Sequence, residues 1–153
     1  MSKRKVVILY GGKSVEHEIS INSAKNVHQY IDKDLFDVHL IGISKDGAWF
    51  FTDEVTGQFN GSSPISLKLN SNKPLFTIEA KEVIPDIVFP VLHGTDGEDG
   101  SIQGLLQSMD IPFAGSGVLG SAVAMSKLAS KRLLEAADIP TSSFIAFSSS
   151  QKY

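Results

Sequence analysis

The chain has 153 residues, 42% hydrophobic and 20% charged, with a net charge of −3 and a mean hydropathy of +0.03. That length fits one domain with a real core and not two full ones. The mild, unclustered charge offers neither a nucleic-acid surface nor a membrane-binding face, and zero cysteines exclude a disulfide scaffold and thiolate chemistry while fitting a cytoplasmic setting.

After a basic "SKRK", the run "KVVILYG" is short, fully apolar and closed by glycine. It predicts a strand covered on both faces; a secretory leader would carry a longer apolar region and a small-residue cleavage site. The run leads into "ILYGGKSVEHEIS", residues 8–20, which spells Gly-Lys-Ser, the tail of a phosphate-binding P-loop. A P-loop needs another glycine five residues earlier, so that a wide loop of N–H groups can wrap the phosphates. Val7 stands there, inside the strand. The loop is too tight for that cradle, and its glycines instead turn the chain sharply from strand to helix. Ser14 is placed to cap the helix, with His17 where a capping box would have Glu. Glu16 falls in the first turn, on the ligand side of the sheet. Two readings of it stand: a carboxylate complementing the helix dipole, or an anion awaiting an ammonium group.

From Val15 onward, Ile19, Val27 and Ile31 recur at multiples of four and predict a helix to Ile31. "FDVHLIGIS" predicts a second strand, and "AWFF" and "LFTIE" short strands of a hairpin-like insertion. The Ser/Asn/Pro-rich "NGSSPISLKLNSNKP", residues 60–74, reads as a surface excursion. "DIVFPVLHG" is a third buried strand in which Pro90 marks a local irregularity. No apolar run nears the roughly 20 residues of a membrane span.

"HGTDGEDGSIQG", residues 93–104, is the most informative stretch. His93 ends the third strand, and four glycines punctuate a loop into a helix whose Ile102, Leu105, Leu106 and Met109 fall at i, i+3, i+4 and i+7. Asp96, Glu98 and Asp99 have the chemistry of metal ligands, but no second donor cluster supports that role, and acids in a first helical turn are ordinary. His93 is either a structural strand-end histidine or, with the glycines and the helix N-terminus, part of a carboxylate site. "IPFAG" predicts a fourth strand. "GSGVLG", residues 115–120, fits G-x-G-x-x-G, yet a dinucleotide fold also places an acid at the end of the next strand, about 20 residues on. Glu135 has the spacing but lies in a helix, and this loop does not follow the first strand. A glycine turn exposing N–H groups to an anion remains. Val118 to Ala137 reads as helix, in two pieces if Ser126 caps a second start. Asp138-Ile139-Pro140 ends it, and "TSSFIAFSSSQKY" begins another apolar segment.

Strand, helix, strand, excursion, strand, helix, strand, helix is the rhythm of an α/β fold: an open, mostly parallel sheet with helices on both faces. Its three polar, glycine-rich loops should converge beyond the carboxyl ends of the strands, where such sheets bind ligands. Residues 1–138 are expected to form this domain and residues 139–153 the start of a second.

At this point "HGTDGEDGSIQG" resembles the signature of D-alanine–D-alanine ligases. "LYGGKSVEHEIS" is similar to that family's first loop, and "GSGVLGSAVAMSKLASK" to its third loop and lysine-bearing helix, in the same order and spacing. The resemblance implies the Rossmann-like N-terminal domain of an ATP-grasp ligase that uses ATP and Mg²⁺ to join two D-alanines for peptidoglycan. In that chemistry one D-alanine carboxylate is phosphorylated, and the amine of the second attacks the acyl phosphate. By position, the resemblance makes Glu16 the catalytic and substrate-binding partner of the first D-alanine's ammonium and sets His93 by its carboxylate. Gly115, Ser116 and Gly117 would line the site, and Lys127 would reach the ATP phosphates as a point charge. It places the Mg²⁺ ligands and most ATP contacts beyond Tyr153. It implies D-alanine and ATP as partners, no nucleic acid or membrane, and compatibility with a homodimer. The D-alanine–D-lactate ligases share this chemistry and stay open as an alternative. So do two more distant readings, a nucleotide-dependent oxidoreductase fragment resting on "GSGVLG" and a non-catalytic binding module of the same fold.

Overall fold

The computed structural model describes residues 2–59, 64–68, 75–78 and 81–147. The chain begins with β1 (Arg4–Gly11), α1 (His17–Tyr30), β2 (Phe36–Ile43) and β3 (Trp49–Thr52). Three short strands follow, β4 (Ser66–Lys68), β5 (Leu75–Ile78) and β6 (Lys81–Val83), and then β7 (Ile87–Leu92). The rest is helical: α2 (Ser101–Ser108), α3 (Val118–Met125) and α4 (Lys127–Ala136).

The main sheet has the order β3-β2-β1-β7, with β1 parallel to both β2 and β7 and β3 antiparallel at one edge. Alternation across the central strands splits the core in two. Val7, Leu9, Ile41, Ile43, Val88 and Leu92 meet α2, through Ile102 and Leu106, and the small sheet, through Phe76 and Val83. Ile8, Tyr10, Leu40 and Val91 meet α1, through Ile21 and Ala24. Both faces of β1 are therefore dry, which is why its sequence reads as one apolar run.

Several expectations shift. α1 starts at His17 rather than Val15, and Val15 stands wholly exposed while Ile19 is half out. The buried stripe is His17, Ser20, Ile21 and Ala24. Two of these are polar, and each finds a hydrogen bond at the top of the sheet, so apolar periodicity alone misplaced the face. Ser14 is not the cap: Glu16 occupies that position, and the Ser14 hydroxyl accepts the Glu16 N–H at 3.1 Å. "AWFF" gives β3, an edge strand of the main sheet, while "LFTIE" gives β5 of a separate antiparallel sheet, β4-β5-β6. β4 and the bridge between Phe50 and Pro64 lie within the expected surface excursion, whose residues 60–63 and 69–74 are outside the described residues.

The fourth strand reduces to one bridge, Val88 to Phe113. Val88 donates to Pro112 O at 2.8 Å and accepts from Ala114 N at 2.9 Å. In a parallel ladder the next rung would come from residue 90, two places on, and Pro90 has no N–H to supply it. The expected irregularity thus falls on the neighbour, and β7 itself is intact. The helical stretch after Gly117 does break in two, with Ser126 capping α4 by accepting Ala129 N–H at 3.3 Å. α4 buries none of its residues, and residues 141–147 form neither helix nor strand. Residues 148–153, the end of the expected second segment, lie outside the described residues.

Candidate active site

Two of the three loops are tied tightly at the carboxyl edge of the sheet. Gly11 N–H donates to Ser20 Oγ at 2.8 Å, and Ser20 Oγ in turn donates to the Val91 carbonyl, so one buried hydroxyl joins β1, α1 and β7. Buried His17 bonds through Nδ1 to Gly12 O at 2.7 Å. Gly12 N–H donates to Ile43 O at 2.9 Å, fixing the turn to β2. This clamp explains the tight loop that the sequence sets against a P-loop: its carbonyls and N–H groups face its own helix and strands.

The second loop leans on the first at Gly94. A Cβ added there would lie 2.5 Å from Ser14 Oγ and 2.6 Å from Glu16 Oε2, and φ is +71°. Both the approach and the left-handed backbone require glycine. The Glu16 carboxylate therefore sits at the seam of the two loops, half-buried rather than pointing into open water. His93 is one residue away along the chain. Its Nε2 is hydrogen-bonded to Ser23 Oγ of α1 at 3.0 Å, and its Nδ1 stands 3.9 Å from Glu98 Oε1, an ionic contact when the ring is protonated.

The acids of this loop are committed to its own backbone. Glu98 Oε2 accepts Gly94 N–H at 2.7 Å. Asp99 accepts Asp96 N–H and Ser101 N–H, each at 3.0 Å, and these bonds hold its carboxyl below the usual carboxylate range. Asp96 pairs with Lys13 of the first loop at 2.9 Å. Gln103, buried in α2, donates from Nε2 to Gly97 O at 2.8 Å. Among the described residues no group of three His, Asp or Glu side chains forms a metal-holding set.

The third loop is looser. Gly115, Ser116 and Gly117 are exposed, and a Cβ at either glycine would meet nothing within 4 Å. The loop sits beside the second because α3 packs on α2, where a Cβ on Gly100 would lie 2.9 Å from Val118 O. Lys127 is the first residue of α4 and exposed. Among the described residues no hydrogen bond or ion pair joins this turn or Lys127 to Glu16 or His93. Glu16 and His93 thus stand on the two loops that meet at Gly94, while the other expected residues lie on a separate, open wall. Sequence reasoning passed over Ser23, Lys13 and Gln103. Ser23 had a signal: Glu16, Ser20 and Ser23 recur at i, i+4 and i+7, a polar stripe on the sheet side of α1.

An α/β domain with loops meeting at one sheet edge, one of them carrying a carboxylate at an inter-loop seam, is the class of fold in which small-molecule sites form beyond the carboxyl ends of the strands. Residues 5–116 match the family described as the D-ala D-ala ligase N-terminus. The D-alanine–D-alanine ligase of Shouchella clausii is 45% identical over 166 aligned residues, covering 99% of this chain and 45% of that protein. D-alanine–D-alanine ligase A of Escherichia coli is 40% identical and is covered over 46% of its length. The structure of the Coxiella burnetii D-alanine–D-alanine ligase aligns with a TM-score of 0.83 at 34% identity, over 92% of this chain and 43% of that one. The VanG D-Ala:D-Ser ligase of Enterococcus faecalis aligns with a TM-score of 0.80 at 33% identity, over 90% of this chain and 43% of that one. The chain belongs to the D-alanine–D-alanine ligase family, in its N-terminal part. It spans less than half the length of these relatives.

Proposed function

We propose that this chain is the amino-acid-binding N-terminal part, residues 1–138 with 139–153 leading into a central domain, of a cytoplasmic ATP-dependent ligase that joins two D-alanines for peptidoglycan. The observation that carries the proposal is the Glu16 carboxylate held at the seam of the first two loops by the Gly94 approach, in a family whose named members are D-alanine–D-alanine ligases. Glu16 binds the ammonium of the first D-alanine by a charge-assisted hydrogen bond. His93, oriented by Ser23, stands beside that substrate's carboxylate. The exposed Gly115-Ser116-Gly117 turn lines the open far side.

Lys127 fits an ATP phosphate: it is exposed at the start of a helix, with no ion pair among the described residues. Mg²⁺ finds no fit among the described residues, because Asp96, Glu98 and Asp99 are engaged with Lys13 and with backbone N–H groups. Its ligands are assigned to the rest of the ligase. So is the choice of second substrate: a D-Ala:D-Ser ligase shares this part of the fold, and the D-lactate alternative would leave the roles of Glu16 and His93 unchanged. The assembly as a homodimer belongs to the same proposal.

The test is Glu16→Gln in the ligase that contains this chain, followed by D-alanine-dependent phosphate release. Removing one charge-assisted bond in a partly dry site costs about 1.5–3 kcal/mol, so the KM for the first D-alanine should rise roughly ten- to hundredfold with the ATP KM little changed. An unchanged KM and rate would reduce Glu16 to a helix-dipole partner and sink the assignment.

A further inference from the structure

A cavity of about 330 Å³ lies on the β2–β3 side of the candidate site, under the second loop. Its floor is apolar, made by Ile43, Leu92, Ile102 and Leu105, with Trp49 as one wall. Its mouth carries Lys13, Asp46 and Asp96. Of the residues proposed above only His93 borders it; Glu16, Ser116 and Lys127 do not. The size is that of a small-ligand pocket, and the cavity opens beside the Glu16 seam without including Glu16 in its lining.

Charge at the mouth decides what it takes. Lys13 and Asp96 neutralise each other at 2.9 Å, and the Lys13 stem is laid over the β2–β3 turn, where a Cβ on Gly47 would lie 3.1 Å from Lys13 Cδ. Asp46 is exposed, accepts the Ser44 hydroxyl and backbone N–H groups of its own turn, and has no cation within ion-pair distance among the described residues. One carboxylate without a cation partner therefore shares the cavity lining with an indole ring, above a hydrocarbon floor. A cation is favoured by both groups, an anion by neither, and the floor favours an apolar body.

We propose that this cavity is a second binding site, for a small primary amine with an apolar body, its ammonium at Asp46 and its body against Trp49, Leu92 and Leu105. The proposal goes beyond the ligase reading and does not depend on it.

Trp49 is the single tryptophan of the chain, so the fluorescence of the 153-residue protein reports on this wall. The probe is 2-phenylethylamine, with 3-phenylpropionate as its counterpart of opposite charge. The amine should shift Trp49 emission saturably with a Kd on the order of 1 mM, as suits so small a ligand. It should bind about tenfold more tightly than the carboxylate, the difference expected of one charged contact. Asp46→Asn keeps an acceptor for Ser44 and should erase that preference. Leu105→Phe fills the floor, leaves the turn untouched, and should weaken both probes. A linear, unsaturable response would overturn the proposal, as would equal binding of the carboxylate or a preference that survives Asp46→Asn. Displacement of the amine by equimolar D-alanine would make the cavity part of the substrate cleft and end its status as a separate site. The titration uses no ATP, so its failure and failure of the ligase reading are told apart.

Discussion

At the scale of single residues, the site depends on two contacts that leave little slack. Gly94 admits the Glu16 carboxylate only because it lacks a side chain. Gly94→Ala adds an atom into that contact and places alanine at φ +71°, strain worth about 1–3 kcal/mol. The expected outcome is a lower melting temperature together with a raised D-alanine KM, since Glu16 is the group displaced; loss of stability with an unchanged KM would separate the two loops functionally. Asp99 gives a pH signature. Its carboxyl is held below the usual range by the Asp96 and Ser101 N–H groups, so the folded state binds protons less readily there than the unfolded state does. The resulting stability is complete above the ordinary carboxylate pKa and is lost as pH falls through the lower folded value. Asp99→Asn should cost about 1 kcal/mol or less at neutral pH, because the group is partly exposed. The gap from the native protein should close in acid, and denaturant unfolding at several pH values measures it. Glu16 and His93 stand out in the sequence because glycine and a titratable group fall together at strand ends; the roles given to them belong to the proposal above. Ser14 as a cap was misread because it and Glu16 compete for the same helix end, and the folded loop gives the N-cap position to Glu16.

Among the elements, the covered stretches were the easiest to read: β1 from Val6 onward, Leu40–Ile43 of β2 and the Val91–Leu92 end of β7 are buried apolar text, while Asp37 and Phe89 reach water. α1 was harder, since His17 and Ser20 are buried through hydrogen bonds to Gly12, Gly11 and Val91 rather than through hydrophobicity. α4 is a different case. None of its residues is buried, so little tertiary packing holds it and its Ser126 cap matters more than usual. Ser126→Ala should fray the first turn at a local cost of about 1 kcal/mol, with little change in the global melt. Amide exchange at Ala129 should speed up. In the ligase proposed to contain this chain, Lys127→Ala should raise the ATP KM well above any change for D-alanine, and Ser126→Ala should do the same more weakly. Equal effects on both substrates would put Lys127 outside the nucleotide site.

For the molecule as a whole, the α/β class and the order of the three loops follow from the rhythm of apolar runs, while the pairing of β3 and the separate sheet β4-β5-β6 do not. Short strands carry too little pattern to say which sheet they join. The missing fourth strand was written in the sequence as Pro90, but its effect appears only once the register is known, because the lost N–H belongs to a rung with Ala114 rather than to the pairing with β1.

That lost rung shapes the mouth of the molecule. Below Pro90 the chain at Phe113 runs alongside β7; beyond it no backbone hydrogen bond joins the two among the described residues, and the Gly115-Ser116-Gly117 turn is left exposed. Pro90→Val restores the N–H in a strand-compatible residue, and one more hydrogen bond should form to Ala114, stabilising the fold by up to about 1 kcal/mol. Amide exchange should show a newly protected proton at position 90. The same change should pull the third loop inward and crowd whatever binds between the loops, giving a protein that melts higher and accepts its substrate less readily. On that expectation the proline acts as a spacer, withholding the one N–H that would draw the third loop toward β7.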